Sequence, residues 1–487
     1  MYSLTDIRVA STIPQQSRYL LLVGFALDGP ARTPFTIKDE INPYNLLGDC
    51  LLADAYVEAR LQGVEPLILR LNGNHAVQTI KVNNEAVFTL ESVQGSDEAN
   101  NIIVNVFPTH LNIKGLNSDR TYLFSEYPTV DRLIDVINFD AVYGLGEVKG
   151  NAVQSLFPTK DLTVTPYQLF LEEGRDDSHL VVRNEKLSEV ILDERMRLLE
   201  ETLLESYGDD YSSNAEFSPF NIDTVILTDF AHELYPKAVE VLGKFCSSKT
   251  LEQPLFCSGL IGSYLFNGED DVVESVSSLI EKGNKGHAHE YYKHVEVVLG
   301  TQRPYENEDK KIPVVTGFGA MRYLLPTHFA ATNKKIPTIL NLFARIRKED
   351  VALLSSNGYT CIVPSIRKGY VAYKSTSFIE NQQLVSSKPH YIRPMYDAIS
   401  FLLNDLDLLI GSNISRLQMN KVTNLFNEKI RDLVEKKEVF KEITYEVNFK
   451  SQDTIGVNLV FIPHGEVSSV QSNVLYDTAR KAVVTWR

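Results

Sequence analysis

The sequence lacks several features that would assign a protein to a familiar class. Its 487 residues include only four cysteines, Cys50, Cys246, Cys257 and Cys361, and no two of them form a CxxC pair. This scatter argues against a disulfide framework or a cysteine-rich zinc site and favours a reducing cytoplasm. No apolar run approaches the roughly 20 residues of a membrane helix. Met1–Pro14 is too polar for a signal peptide.

An excess of positive charge is also missing. The chain has 48 Lys and Arg residues against 63 Asp and Glu residues, which gives a formal net charge of -15. Because a nucleic-acid partner requires a basic face, we predict that the protein binds no nucleic acid. The contents of hydrophobic residues (44%) and charged residues (23%) are those of an ordinary globular protein. The length predicts about two to four domains.

Familiar catalytic motifs are absent. Gly144–Gly150 (GLGEVKG) has one residue too many for the dinucleotide-binding fingerprint, and Ser247–Thr250 (SSKT) lacks the glycines of a phosphate-binding loop. Cys257–Gly262 (CSGLIG) does not have the spacing of a GxSxG nucleophile elbow. We therefore predict no catalytic residues and no bound cofactor.

One histidine cluster resembles a metal site in composition. His287, His289 and His294 could ligate zinc, with Glu290 or Glu296 as a further ligand. The helical spacing of an HEXXH motif is missing, which favours histidines exposed on a polar loop. We predict no metal at this cluster.

Alternating strand and helix patterns predict a mixed α/β fold. Arg18–Gly24 is typical of a buried strand, Asp49–Gln62 of a helix that ends at Gly63, and Pro66–Leu71 of the next strand. This order indicates a parallel α/β unit. The same alternation resumes at Asp223–Thr228, and further strands are predicted up to Pro313–Thr316 and Thr360–Val363.

The segment between these two α/β regions has a different sequence pattern. From Gly73 short strands are separated by turn residues, which predicts an inserted β-sandwich. Glu185–Leu204 favours an acidic amphipathic helix, and the polar tract Tyr207–Ser218 favours a loop. The predicted division is an N-terminal extended arm (1–17), a central α/β domain (18–72 plus 221–385), the β-sandwich (73–150), an insertion or linker with the acidic helix (151–220), and a C-terminal α+β domain with a terminal arm (386–487).

The last part of the chain combines two helices with a β-hairpin. One helix is predicted to open at Pro394 and close at Gly411, and a second to span Ser415–Lys437. In Ile443–Pro463 apolar residues alternate with polar ones on both sides of a short polar turn, which indicates an antiparallel hairpin. An isolated hairpin is marginally stable, and its edges present unpaired backbone groups. The first and last dozen residues are candidates to pair with these edges.

The second helix has an apolar stripe and a positive charge excess. The stripe consists of Val422, Leu425, Phe426, Ile430 and Leu433. Residues 416–442 contain seven basic and five acidic side chains, a net charge of +2 in an acidic protein. Either this face is simply solvated, or it meets an acidic partner. Trp486, the single tryptophan, fits an interface anchor and a residue of its own core equally well.

Several of these segments resemble the tail sheath proteins of contractile bacteriophages and related injection machines. Leu22–Pro30 (LVGFALDGP) is similar to that family's V-G-x-A-x-x-G-P turn, and His390–Ile399 (HYIRPMYDAI) to its R-x-x-x-D-x-I helix start. Softer matches lie in the same order along the chain, at Gly63–Leu71, Gln94–Val104, Glu349–Tyr359 and Phe461–Pro463. The family's P-G-V-Y opening is missing from Met1–Ser17, and the segment 155–220 has no counterpart.

The resemblance implies a mechanical function. Such proteins form stacked six-subunit rings around an inner tube, exchange terminal strands between subunits, and contract without nucleotide or metal. Strand exchange would involve Leu4, Ile7, Val9, Val483, Val484 and Trp486, and Lys421, Lys429 and Lys436 would face the tube. The implied partners are other copies of the chain, the tail tube protein, and baseplate and neck or terminator proteins. The implied location is the tail sheath of a virion, assembled in the host cytoplasm.

Three alternatives remain. The chain could form the sheath of a related contractile injection system. It could be an α/β hydrolase-like enzyme that uses the alternating strands of residues 223–316, although no nucleophile–base pair can be assembled from them. It could also be an adhesion or binding module built on the β-sandwich.

Overall fold

A computed structural model describes most of the chain. The described residues are 18–37, 41–73, 75–93, 96–142, 145–165, 168–172, 177–182, 187–207, 210–214, 217–253, 255–263, 272–302, 312–342, 346–365, 368–380, 388–403, 416–436, 439–451, 454–464, 467–470, 474–476 and 482–485. The fold is mixed α/β with several separate sheets, as predicted. Within the described ranges no helix combines the length and apolarity of a membrane-spanning segment.

The helices and strands follow one another in three parts of the chain. The first part contains β1 (Tyr19–Gly24), α1 (Pro43–Leu47), α2 (Leu51–Leu61), β2 (Leu67–Arg70), β3 (Val77–Val82), β4 (Glu85–Ser92), β5 (Ile103–Val106), β6 (His110–Lys114), β7 (Asp119–Leu123), α3 (Val130–Val142), β8 (Val148–Ala152) and β9 (Leu169–Phe170). The middle part contains α4 (Glu189–Leu203), β10 (Leu204–Tyr207), β11 (Asp210–Ser213), β12 (Ile222–Ala231), α5 (Pro236–Glu252), β13 (Ser258–Ser263), α6 (Val272–Lys282), β14 (Val295–Leu299), β15 (Thr301–Gln302), β16 (Ile312–Pro313), α7 (Val315–Leu324), α8 (Lys348–Ser356), β17 (Tyr359–Ser365) and β18 (Gly369–Ala372). The last part contains α9 (Pro389–Leu403), α10 (Arg416–Arg431), β19 (Phe440–Ser451), β20 (Thr454–Pro463), β21 (Val467–Val470), β22 (Val474–Tyr476) and β23 (Ala482–Thr485).

A seven-stranded sheet forms the centre of the molecule. Its strand order is β18-β17-β14-β13-β12-β1-β2, and every neighbouring pair is parallel except β17 and β18. Helices α4, α5, α6 and α8 cover one face, and α1, α2 and α7 cover the other. Because both faces are covered, the strands are continuous apolar runs, and all ten residues of β12 are buried.

One predicted strand of the central sheet is wrong. In Pro313–Thr316 only Pro313 belongs to a strand, and α7 begins at Val315. The reason is tertiary packing: a Cβ atom on Gly319 would lie 2.5 Å from Ile226 Cδ1 and 2.7 Å from Leu260 Cδ1. The helix backbone therefore lies directly against the sheet, and this close contact outweighs the strand preference of the preceding β-branched residues.

The predicted insertion forms a compact unit of two sheets and a helix. The sheets β3-β4-β8 and β7-β6-β5-β9 share one core with α3, a helix that the sequence patterns did not indicate. β8 crosses the boundary placed at residue 150, and Val77 forms a bridge with Glu172. Leu162 and Leu171 are buried in the same core. The division into domains remains a proposal, and this packing favours an insertion that continues to Glu172.

The segment between the insertion and β12 packs on the central sheet. The acidic helix begins at Glu189 rather than Glu185, with the Ser188 hydroxyl accepting from the Ile191 amide at its start. The tract predicted to be a loop contains β11, which pairs with β10. On α4, Arg195 is buried with its guanidinium 4.7 Å from the Phe25 ring centroid. These contacts explain why a polar sequence is ordered here.

Of the two C-terminal helices, the first differs from its predicted start and the second agrees with its prediction. α9 begins at Pro389 and contains Pro394 in its interior. Proline usually occupies the first helical turn, but apolar packing of Tyr391 and Ile392 extends this helix further upstream. The predicted end at Gly411 lies outside the described residues. α10 continues into a π-helical turn at Asp432–Lys436, which agrees in extent with the predicted Ser415–Lys437 helix.

A buried carboxyl group lies where α2 meets α7. Glu58 is 6% exposed, and its Oε1 atom accepts hydrogen bonds from Gln302 Nε2 (2.7 Å) and Thr338 Oγ1 (2.9 Å). Among the described residues, its Oε2 atom has no hydrogen-bond partner. Burial raises the pKa of Glu58 to about 7, and the two hydrogen bonds oppose this rise only in part.

We expect Glu58→Gln to stabilise the protein at pH 8 but not at pH 4. The unfolded carboxyl group releases its proton near its usual pKa of 4.5, whereas the folded one retains it to about 7. Wild-type stability therefore falls as pH rises through this window, by up to about 3 kcal/mol. Denaturant unfolding at both pH values measures the effect. Glu65→Gln, at an exposed site, is the control, and an equal effect of Glu58→Gln at both pH values would contradict the prediction.

Candidate functional site

The predicted C-terminal hairpin is confirmed. β19 and β20 pair in antiparallel register from Phe440 opposite Pro463 to Ser451 opposite Thr454. The alternation in the sequence determines which side is buried, because successive strand residues point to opposite faces. Ile443, Leu459 and Phe461 accordingly lie in the core of the C-terminal unit, which we define as residues 389–485.

One edge of this hairpin is paired by the same chain, and the other, on β19, is covered by none of the described strands; we call it the open edge of β19. β23 pairs with β20, with Val484 opposite Leu459 and Val483 opposite Val460. On its far side β19 forms no ladder with any described strand. A role of Val483 and Val484 in strand exchange remains a prediction. The other residues predicted for strand exchange lie outside the described part of the chain: Leu4, Ile7, Val9 and Trp486.

Two helices cover one face of the hairpin. From α9, Met395, Ala398, Ile399 and Leu402 enter a core that also contains Phe426 of α10. Of the predicted apolar stripe, Phe426 and Leu433 are buried and Ile430 is partly buried, whereas the side chains of Val422 and Leu425 lie outside the described set. The Phe426 ring stacks on Tyr445 with centroids 5.3 Å apart. Helix and hairpin therefore form one packed unit.

The three lysines predicted to face a tube do not share one environment. Lys429 Nζ donates to the Phe401 carbonyl oxygen at 2.5 Å and lies 4.7 Å from the centroid of the Phe401 ring. This half-buried ammonium therefore connects α10 to α9. Lys421 lies in α10 and Lys436 in the π-helical turn, but their side chains are not described. Tube contact by the three lysines remains a prediction.

A buried ion-pair network joins the C-terminal unit to the central sheet. Arg393 of α9 donates through Nη2 to both carboxylate oxygens of Asp223, at 2.9 and 3.1 Å. Arg18 lies between two acids, with Nη1 3.4 Å from Asp223 Oδ2 and Nη2 3.0 Å from Asp397 Oδ1. Asp397 also accepts from Thr327 Oγ1 at 2.6 Å. The network thus bridges β1, β12 and α9.

The network continues along the same edge of the sheet. Arg322 of α7 forms an ion pair with Glu296 and donates to the hydroxyl group of Ser258. Glu296 also accepts from Ser375 Oγ at 2.7 Å. Asp223, Ser258 and Glu296 all stand at or next to the first residue of a parallel strand, so the topology brings them to one edge. No sequence motif identifies this cluster. A charged residue at the start of an apolar strand is nevertheless a signal that could have predicted a buried ion pair.

The charges in this network hold one another ionised. Burial alone would raise the pKa of Asp223, but the guanidinium groups of Arg393 and Arg18 lower it below its usual value. Burial would lower the pKa of Arg18, and Asp397 and Asp223 reverse that effect and raise it. Each ion is therefore stable in the interior only while its partners remain in place.

The histidine cluster does not converge on a metal site. His294 is buried, its Nδ1 donates to the Cys257 carbonyl oxygen at 2.8 Å, and its ring stacks on Phe256. Burial lowers the pKa of His294 to about 3. His289 is exposed as predicted, but exposure was wrong for His294, because that residue leads directly into a buried strand. Within the described residues, no group of three or more potential metal ligands occurs.

Side chains make contacts at the ends of β1 and β12, the point where sheets of this topology bind ligands. The strand order reverses between β1 and β12, and ligands bind at the carboxyl ends of strands at such a point. Here Asp229 Oδ2 accepts from the Phe25 amide at 3.0 Å and from Thr228 Oγ1 at 2.7 Å. Phe25 is fully buried, and its ring lies 5.7 Å from that of Phe230. These contacts join the ends of β1 and β12 within the described part of the chain.

Comparisons with solved structures identify proteins that share the fold of this chain. No protein-family model and no curated protein sequence matches this chain. A sheath tail protein from Listeria innocua aligns over 97% of this chain and 95% of its own, with a TM-score of 0.51 and 12% identity. A sheath tail protein from Desulfitobacterium hafniense aligns over 97% and 98%, with a TM-score of 0.46 and 12% identity. The Listeria match confirms the fold implied by the sequence resemblance.

We expect Phe426→Ala to destabilise the C-terminal unit by about 3–5 kcal/mol, because it removes a fully buried ring and leaves a cavity. Amide hydrogen exchange of β19 and β20 measures the loss locally. Phe329→Ala is the matched control, since that ring is 48% exposed and should contribute less than about 1 kcal/mol. Equal exchange rates in the two variants would show that Phe426 does not support the hairpin.

Proposed function

We propose that the chain is a structural sheath subunit of a contractile tail. In this proposal it polymerises as stacked six-subunit rings around an inner tube and contracts to drive the tube through a host envelope. The observation that carries the proposal is the agreement in fold with the Listeria sheath tail protein over 97% of this chain. Such extensive coverage includes the central sheet, the insertion and the C-terminal unit together. A phage tail and a related contractile injection system both fit this fold.

The open edge of β19 supports a role in assembly. A strand edge offers unpaired N–H and C=O groups that bind an extended segment of another chain. At twelve residues, β19 is long enough for such pairing. We propose that the N-terminal residues Leu4, Ile7 and Val9 supply this strand to a neighbouring subunit, and that Val483, Val484 and Trp486 contribute the second connection. These contacts are heterologous, so the lattice remains open-ended.

The contacts at the β1–β12 reversal do not favour the hydrolase alternative. An enzyme of this topology needs space for substrate at the carboxyl ends of its strands. In this chain the buried ring of Phe25 and the hydrogen bond from its amide to Asp229 lie at that point. No such observation favours an adhesion module. The proposed partners are accordingly proteins: further copies of the chain, a tail tube protein, and baseplate and neck proteins of a virion tail assembled in the host cytoplasm.

The proposed mechanism requires no nucleotide or metal. Energy would be stored when subunits assemble into an extended lattice that is less stable than the contracted one. Flexible strand connections would keep neighbours attached while the subunits shift. The test is negative-stain electron microscopy of the concentrated purified protein, alone and with the tube protein of the same tail. Helical sleeves are the expected outcome, whereas a persistent monomer under both conditions would refute the proposal.

Removing residues 1–12 should abolish sleeve formation while leaving a cooperatively melting protein, because these residues precede the first strand of the central sheet. Electron microscopy and a thermal melt measure the two properties. Substituting Leu4, Ile7 and Val9 by aspartate in the full-length chain is the matched variant, since it retains the backbone but disfavours an apolar strand pairing. Normal sleeves from the truncated protein would exclude this arm from assembly.

Substitution of the three lysines should distinguish those proposed to contact the tube, Lys421 and Lys436, from Lys429, which contacts α9. Lys421→Glu with Lys436→Glu should weaken co-assembly on tubes, and wild-type binding should weaken as salt rises. Each exposed ion pair contributes only about 0–1 kcal/mol, but the repeats along a tail multiply it. Lys429→Gln should instead lower the stability of the C-terminal unit, because it removes the contact with Phe401. Salt-insensitive tube binding, unchanged in the double variant, would remove α10 from the interface.

A further inference from the structure

α9 belongs to two packed units at once. Its apolar residues Met395, Ala398, Ile399 and Leu402 lie in the core of the C-terminal unit. Its polar residues Arg393 and Asp397 instead contact the central unit through Asp223, Arg18 and Thr327. The Tyr396 ring adds a contact with Phe256, with centroids 5.3 Å apart. One helix therefore connects the hairpin that is proposed to assemble with the sheet that carries the rest of the chain.

Apolar packing is incomplete beside the ion pairs that connect the two units. A cleft of about 650 Å³ separates the two units next to Arg18 and Asp397. Its apolar lining comes from both sides, with Leu325 and Pro326 on the central unit and Phe401, Leu433 and Val439 on the C-terminal unit. Apolar side chains that line an open cleft do not hold its walls together. Beside this cleft the ion pairs of Arg18 with Asp223 and Asp397 join the two units.

The geometry of the ion pairs suits a rigid connection. Arg393 and Asp223 are each 3% exposed, and one guanidinium nitrogen contacts both carboxylate oxygens. A buried pair of this kind is specific in position, because moving either partner leaves an uncompensated charge in the interior. Arg18 adds a second connection, since it contacts acids of both units. Any rotation of α9 relative to the sheet would break both connections together.

We propose that the cluster formed by Arg18, Asp223, Arg393 and Asp397 is the element that positions the C-terminal unit on the central sheet and makes the two units one rigid body. The mechanical consequence rests on the proposed sheath function. A displacement of the C-terminal hairpin moves the central unit and the insertion with it, because no hinge between the units absorbs the motion. The rigidity itself does not depend on that function. Arg393 and Asp397 act as positioning residues.

Single-molecule Förster resonance energy transfer, measured on the monomer, tests whether the two units form one rigid body. Dyes are attached at Leu61→Cys in the central unit and at Glu446→Cys in the C-terminal hairpin, both at exposed sites. The four native cysteines are buried, so labelling is selective. The parent protein should show one narrow distance distribution. Arg393→Gln should broaden or split it, because the Asp223 carboxylate then loses its buried guanidinium partner.

Two further variants keep the test decisive. Arg197→Gln removes an exposed intrahelical pair with Glu201 and should leave the distribution narrow. If Arg393→Gln does not fold, as judged by a thermal melt, Asp397→Asn replaces it, since Asp397 is 22% exposed and its loss leaves the buried Arg393–Asp223 pair intact. This variant should broaden the distribution to a smaller extent. A narrow distribution in every folded cluster variant, or a broad one in the parent, would overturn the proposal.

The outcome is separable from the proposed function. If the protein never forms sleeves but the cluster variants broaden the distribution, the rigid connection stands and the sheath function fails. If sleeves form and the distribution is unaffected by Arg393→Gln and Asp397→Asn, the sheath function stands and the rigid connection fails. If both hold, Asp397→Asn sleeves should contract at a lower rate or to a smaller extent than wild-type sleeves, as measured by electron microscopy after a trigger such as guanidinium.

Discussion

The structure depends on the neutralisation of charged side chains where the central strands begin. Asp223 and Glu296 stand at the start of apolar strands, and either would be unstable in the interior without a partner. α7 and α9 supply these partners as Arg322 and Arg393. Because α9 is also part of the C-terminal core, the electrostatic requirement of the central sheet determines where the C-terminal hairpin lies.

The two ends of the central sheet have different roles. At the amino ends of the strands, ion pairs attach another unit. At the carboxyl ends, a hydrogen bond from the Phe25 amide to Asp229 joins β1 and β12 where related topologies bind ligands. The central sheet thus connects the parts of the chain that pack against it. In the function proposed above, the edge of β19 that no described strand covers is a site of contact with neighbouring subunits.

Elements with a strong local period were predictable, and elements stabilised by distant contacts were not. The buried runs at Arg18–Gly24 and Asp223–Thr228 and the alternating hairpin at Ile443–Pro463 were identified from their patterns, because burial on two faces or on one leaves a distinct period. α3 was missed inside a region of short strands. α7 was misjudged at its start, because the close contact that its Gly319 makes with the sheet involves residues distant in sequence. For the site, the hairpin and part of the α10 stripe were predicted, whereas the internal partner of Lys429 was not.

By itself the sequence determined the elements with a strong local period, because periodicity and turn residues are local properties of the chain. It also determined that Asp223, Arg18 and Arg393 carry charge. Only the tertiary structure decided that these charges meet, since Arg18 is 205 residues and Arg393 170 residues from Asp223. The strength of an ion pair depends on separation and on exclusion of water, and both are set only when the sheet, α7 and α9 come together.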